Sequence, residues 1–148
     1  MSKKIINLPE DDRVMRSVSW SRLRRDEDDN VLGFLPQAFQ LRDGEEALSV
    51  NWIEFFENAT TRIRDCIWAV RKTRNVGSKS AFAIGKVGKI KETCLSRSYK
   101  IRIVHEPKEG ECSHSAIRRL PLDDFNLLSA LAEDAFNERI MNSEIPPQ

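Results

Sequence analysis

An α+β fold, with a small, mostly antiparallel sheet packed by at least two amphipathic helices, is the class this sequence predicts, and three observations carry it. Short alternating apolar runs lie beside turn residues, and two longer stretches repeat their apolar residues at helical spacing. The two kinds do not alternate as a doubly wound parallel sheet requires. The chain has 148 residues, 40% apolar and 32% charged, enough to bury a core without disulfides or a structural metal. No repeat, low-complexity linker or internal boundary divides it. The expectation is one domain over residues 1–141 and a flexible tail over 142–148, ending Pro146-Pro147-Gln148.

The elements follow in order. Val14, Val18 and Trp20 alternate loosely over Arg13 to Trp20, a short strand or helix, before the turn-like acidic block Asp26 to Asn30. Pro36 restricts Phe34 to Leu41 to an edge strand or a strand start, because proline cannot donate to a ladder. Asp43-Gly44 then reads as the turn of a hairpin pairing residues 37–42 with 47–52, with Leu48, Val50 and Trp52 on one face. Ile53, Phe55 and Phe56 break the alternation and suit a helical turn. Thr60 or Thr61 can start a helix carrying Ile63, Cys66, Ile67 and Val70 on one face, ending near Asn75 to Gly77.

Ser80 to Ile84 reads as a short strand, and Gly85-Lys86-Val87-Gly88-Lys89 as a loop or bulge before a helical turn through Ile90 and Cys94. Tyr99 to Val104 is the clearest strand, with Tyr99, Ile101 and Ile103 inward and two cations outward. Residues 107–111 turn the chain, and Ser115 to Leu120 return as its partner. After Pro121, Asp123 is a credible cap for a last helix reaching about Arg139, which should bury Phe125, Leu128, Leu131, Ala132, Ala135 and Phe136.

Charge is segregated. The net charge of +1 divides into 8 Lys+Arg against 12 Asp+Glu over residues 1–59, 12 against 2 over 60–104, and 4 against 9 over 105–148. A segment with that surplus needs anions beside it, either the acidic ends of its own chain or an external polyanion. No apolar run approaches the ~20 residues of a membrane-spanning helix. The start, Met1 to Asn7, meets Pro9 and an acidic run before any leader-like apolar stretch, so a cytoplasmic location is expected. Cys66, Cys94 and Cys112 are odd in number and lack a CxxC pair, which suits free thiols.

The segment's candidate anion-binding residues are Arg64, Trp68, Arg71, Lys72, Lys79, Lys86 and Lys89. Helical spacing puts the first four on one flank, where a base could stack on the indole while cations neutralise phosphates. The bland reading packs Trp68 against a neighbouring element. The glycines near Lys79, Lys86 and Lys89 fit neither a P-loop nor a dinucleotide fingerprint. The predicted hairpin also brings His105, Glu106 and His114 together as a catalytic set, or His105, Cys112 and His114 as a metal set.

The favoured expectation is a non-enzymatic binding or accessory domain, without cofactor, engaging nucleic acid or an acidic protein surface. Its alternatives are a small hydrolase or phosphodiesterase using the histidine hairpin, and a subunit of an obligate complex. No membrane partner is expected, and the sequence sets no oligomeric state.

Overall fold

A computed structural model describes residues 5–148, building them round a sheet of seven strands in which every pairing is antiparallel. The strands are β1 (Ile6–Asn7), β2 (Arg13–Val18), β5 (Ala47–Trp52), β6 (Ala81–Lys86), β7 (Arg102–His105), β8 (His114–Arg118) and β9 (Glu138–Met141), in the order β1-β7-β8-β5-β2-β6-β9. A separate ribbon pairs β3 (Leu23–Arg25) with β4 (Val31–Phe34). The helices are α1 (Arg62–Thr73), α2 (Val87–Leu95) and α3 (Phe125–Ala130). Among the described residues, no helix is long and apolar enough to cross a membrane. Met1 to Lys4, part of the leader reading, lie outside the described residues.

Each face of the sheet has its own core, because successive strand residues project to opposite sides. On one face Val14, Val18, Leu48, Val50, Ala81, Ala83, Ile103 and Ile117 meet α2, α3 and the aromatic residues Phe34, Phe39 and Phe136. Phe39 and Phe136 stack with centroids 4.5 Å apart. On the other face Met15, Phe82 and Ile84 meet Cys66, Ile67 and Val70 of α1, together with Ile53 from the turn after β5. Both cysteines with apolar neighbours, Cys66 and Cys94, are buried, and Cys112 is exposed.

Two backbone features hold these layers. β2 and β5 pair only at Val14–Trp52 and Met15–Asn51. Beside that short pairing, the Arg16 guanidinium donates to the Ser49 carbonyl and to the Ala38 carbonyl, each at 2.8 Å. Burial lowers the Arg16 pKa to about 10. At the end of α3 a single π turn over Leu131–Ala135, closed by Phe136 N–H to the Leu131 carbonyl, presses against β6. Gly85 makes room: a Cβ there would stand 2.6 Å from the Ala135 carbonyl oxygen.

Several expectations change. The hairpin of residues 37–42 with 47–52 does not form, because Pro36 opens a 3-10 turn over Pro36–Phe39 and β5 pairs with β8 and β2 instead. β6 runs through Gly85 and Lys86 straight into α2 with no intervening loop. The last helix is capped by Asp124, whose side chain accepts from Leu127 N–H at 3.1 Å, not by Asp123. Its expected C-terminal part is instead the π turn and the edge strand β9, and Phe125 is 61% exposed.

Candidate anion-binding site

On α1, the structure gathers Arg64, Trp68, Arg71 and Lys72 on one flank. Arg64 lies over the Trp68 ring, 4.3 Å from its centroid, and also meets Asp65 at 3.3 Å. The flank already has an occupant. Trp68 Nε1–H donates to the Pro146 carbonyl at 2.9 Å, and Arg71 donates to carbonyls of Asn142, Ile145 and Pro146 and to Asn142 Oδ1. Residues 142–146, read from the sequence as flexible tail, therefore dock along the helix. They begin with a 3-10 turn over Asn142–Glu144.

The other predicted cations lie elsewhere. Lys79 sits over the Trp20 ring at 5.2 Å, and Arg25 lies 4.3 Å from the same centroid. Lys86, exposed, ends β6 roughly 20 Å along the strand at ~3.4 Å per residue, and Lys89, also exposed, lies beyond it in the first turn of α2. The seven residues thus form no single patch. Acidic flanks also quench part of the basic segment: Arg62 faces Glu54 at 3.8 Å, Arg74 meets Glu111 at 3.3 Å, and Lys91 meets Glu10 at 3.4 Å.

The histidine hairpin forms, but its register separates the rings. His105 pairs with Ser115, so His114, one residue away, projects to the opposite face. His105 Nε2 donates to the Cys112 carbonyl at 2.8 Å while its ring packs on Trp52, centroids 5.1 Å apart. A carbonyl can only accept, so His114 Nδ1 carries the proton toward Glu106 O at 2.8 Å. Its Nε2 is left to accept from Ser49 Oγ at 3.2 Å. Burial pushes the His114 pKa below its ordinary value, and the Glu106 carboxylate is bound to Arg118. Among the described residues no three His, Cys, Asp or Glu side chains are placed to share a metal, so the set His105, Cys112 and His114 is not assembled.

A different group of cations surrounds a cleft of about 860 Å³ between α2 and the outer part of β7. It arises because β1 is short. Leu8 N–H reaches the Ile103 carbonyl at 3.0 Å, and the chain then turns away to meet the start of α2, where Glu10 and Asp12 carbonyls accept from Gly88 and Val87. The chain before Arg102 therefore has no β1 partner on that edge. Among the described residues, neither Lys100 nor Ile101 makes a backbone–backbone hydrogen bond through its N–H. Lys91, Lys100, Arg102 and Arg119 line the cleft with Glu10 and Glu92, and Leu8, Leu95, Tyr99, Ile101 and Ile103 supply apolar surface. Arg102 contacts Asn7 Oδ1 at 3.2 Å.

The borders of this cleft carry two left-handed residues, Ser98 at φ +69° and Arg119 at φ +72°. Ser98 is explained by the end of α2: Ser98 N–H reaches Leu95 O and Tyr99 N–H reaches Cys94 O, closing the last turn. Arg119 follows β8 with no helix to close. Of the cleft cations, none was among the residues singled out from the sequence. The signal was present, since Lys100 and Arg102 alternate with the inward residues of the clearest strand, and the register Arg102–Arg118 brings Arg119 beside Ile101.

No protein-family profile, curated protein or solved structure matches this chain.

Proposed function

We propose that this protein is a non-enzymatic binding domain, an accessory or regulatory component that engages an anionic partner through the cations of its central segment. The observation that supports this reading is the cleft in which Lys91, Lys100 and Arg102 of that segment are joined by Arg119. Concave sites holding a few convergent polar groups over an apolar floor are the usual form of a ligand site. The α1 flank supports it less, because Arg71 and the Trp68 N–H are spent on the chain's own carbonyls. The hydrolase alternative finds no support in the geometry: His105 and His114 face opposite sides and each is held by a main-chain carbonyl.

Binding of labelled anionic probes to the full chain, followed by anisotropy across a salt series, tests the reading. Affinity should fall as salt rises, with a log-log slope of roughly −0.7 for each single-strand phosphate neutralised if the probe is an oligonucleotide. Reversing Lys100→Glu and Arg102→Glu together should weaken binding by about tenfold or more, roughly 1.4 kcal/mol. A flat salt response, or a double reversal that binds unchanged, rejects it.

One feature favours the complex-subunit reading as a second possibility. Leu95, Leu122 and Phe125 are 63%, 64% and 61% exposed, close in sequence to Tyr99 and Asp124, which are joined by a 2.6 Å hydrogen bond. Light scattering on a co-purified sample would show a stoichiometric partner, and a monodisperse monomer without one would remove this reading.

A further inference from the structure

Resting on the anion-binding reading above, we propose that the cleft between α2 and β7 takes a small phosphate monoester carried on an apolar or aromatic body, a nucleoside monophosphate in chemical class, and that Arg119 is its anion clamp. Charge points to the phosphate. Four cations against two carboxylates leave two positive charges in the cleft, and a phosphate monoester carries about −1.5 to −2 at neutral pH. The Ile101 N–H, on the same edge of the chain as the Ile103 carbonyl that Leu8 reaches and free of a backbone partner among the described residues, adds one donor of the kind that holds phosphate oxygens.

Shape points to the body. The cleft's volume of about 860 Å³ falls in the ~300–1,000 Å³ range of small-molecule sites. Leu95 stands in its wall at 63% exposure, beside the half-buried Tyr99 ring. A free anion of that size fits better than a polymer. Strand binding needs a continuous basic track interleaved with open aromatic rings, whereas Lys79, Lys86 and Lys89 lie apart and Trp68 is already covered by Arg64 and tied to Pro146.

Backbone strain is the independent observation. A non-glycine residue in the left-handed region costs roughly 1–2 kcal/mol, and such strain gathers where function holds it. Glycine at position 119 would relax the chain and lose the guanidinium. A merely structural Arg119 and a clamping Arg119 therefore predict different results for the same substitution.

Calorimetric titration of the full chain with AMP, adenosine, inorganic phosphate and a short oligonucleotide tests the proposal, alongside thermal unfolding of Arg119→Gly. AMP should bind about tenfold or more tighter than adenosine and than inorganic phosphate. Arg119→Gly should keep or raise the thermal midpoint while AMP affinity falls about tenfold or more. Arg119→Asn, which also tolerates the left-handed region, should repeat that split and stands in if the glycine variant does not fold. AMP binding no tighter than phosphate, or variants that bind AMP as the parent does, overturns the proposal. An oligonucleotide that binds where AMP does not overturns the ligand class and leaves the anion-binding reading standing. No binding of any anion overturns both.

Discussion

Gly85 occupies a central strand where the π turn of α3 comes closest, and the 2.6 Å approach of a hypothetical Cβ to the Ala135 carbonyl sets the cost of filling it. Main-chain oxygen cannot step aside as a side-chain tip can. Gly85→Ala should lower stability by about 1–3 kcal/mol, the usual penalty of overpacking, readable as a shifted denaturation midpoint with unchanged slope. His114 sets a second expectation, on pH. Its folded pKa lies below the ordinary 6.5, first because of burial. Between the two values the unfolded chain binds more protons than the folded one, so stability should fall as pH drops below about 6.5, and this ring adds no dependence above it. In His114→Asn that part of the acid sensitivity should vanish, and an undiminished slope between about pH 5 and pH 7 would reject the assignment. Single-residue burial was partly legible in sequence: Cys66, Cys94, Leu128 and Phe136 are inside as their neighbours and spacing imply. Phe125 was not, because it sits in the first turn of α3, outside the stripe that the later turns direct inward.

Pairs of elements were harder to read than elements. α1 and the helical turn after Trp52 are where periodicity places them, and the β7–β8 hairpin forms over Arg102–His105 and His114–Arg118 in place of the expected 99–104 and 115–120, since each is specified by contacts close in sequence. β5 was recognised as a strand but given the wrong neighbour. Its true partners, β8 and β2, are distant in sequence and leave no local mark. The same holds for β9, which follows the π turn that ends the helical pattern and pairs with the sequence-distant β6, and for the chain after it. Arg71 makes most of the side-chain bonds to that last segment, reaching Asn142, Ile145 and Pro146, beside the Trp68–Pro146 bond and the bonds of Asn142 to the Ser80 and Gly77 carbonyls. Arg71→Ala should release residues 142–148 from α1, seen as faster proteolysis and faster amide exchange there, with the rest of the protection pattern unchanged. Equal protection in the variant would mean that the Trp68–Pro146 bond and the Asn142 bonds to the Ser80 and Gly77 carbonyls suffice without Arg71. Arg16 joins β2 to β5 in a similar way, and Arg16→Met should leave the Ser49 and Ala38 carbonyls without their donor, at a cost of about 1–3 kcal/mol for each group left unpaired.

The division of charge along the chain becomes a division in space only in part. Folding brings Glu54, Glu111 and Glu10 from the acidic flanks against Arg62, Arg74 and Lys91 of the basic middle, so some of that surplus is neutralised within the molecule. These contacts are not equivalent. Glu111 is 6% exposed and accepts from Thr73 Oγ1 at 3.0 Å as well as from Arg74. The Glu10 carboxylate is mostly in water, where an ion pair contributes about 0–1 kcal/mol. Glu111→Gln therefore removes a charge that Arg74 and Thr73 were arranged around, and should cost about 1–3 kcal/mol. Glu10→Gln should cost under about 1 kcal/mol. The two changes also diverge in what they do to the cleft. Glu10 lines it and Glu111 does not, so Glu10→Gln should free Lys91 and tighten anion binding while scarcely moving stability, whereas Glu111→Gln should lower stability and scarcely change anion binding. Chemical denaturation and anion titration of both variants check the pair together. Equal effects of the two substitutions on binding would mean that the cations act as a diffuse field and not through the cleft.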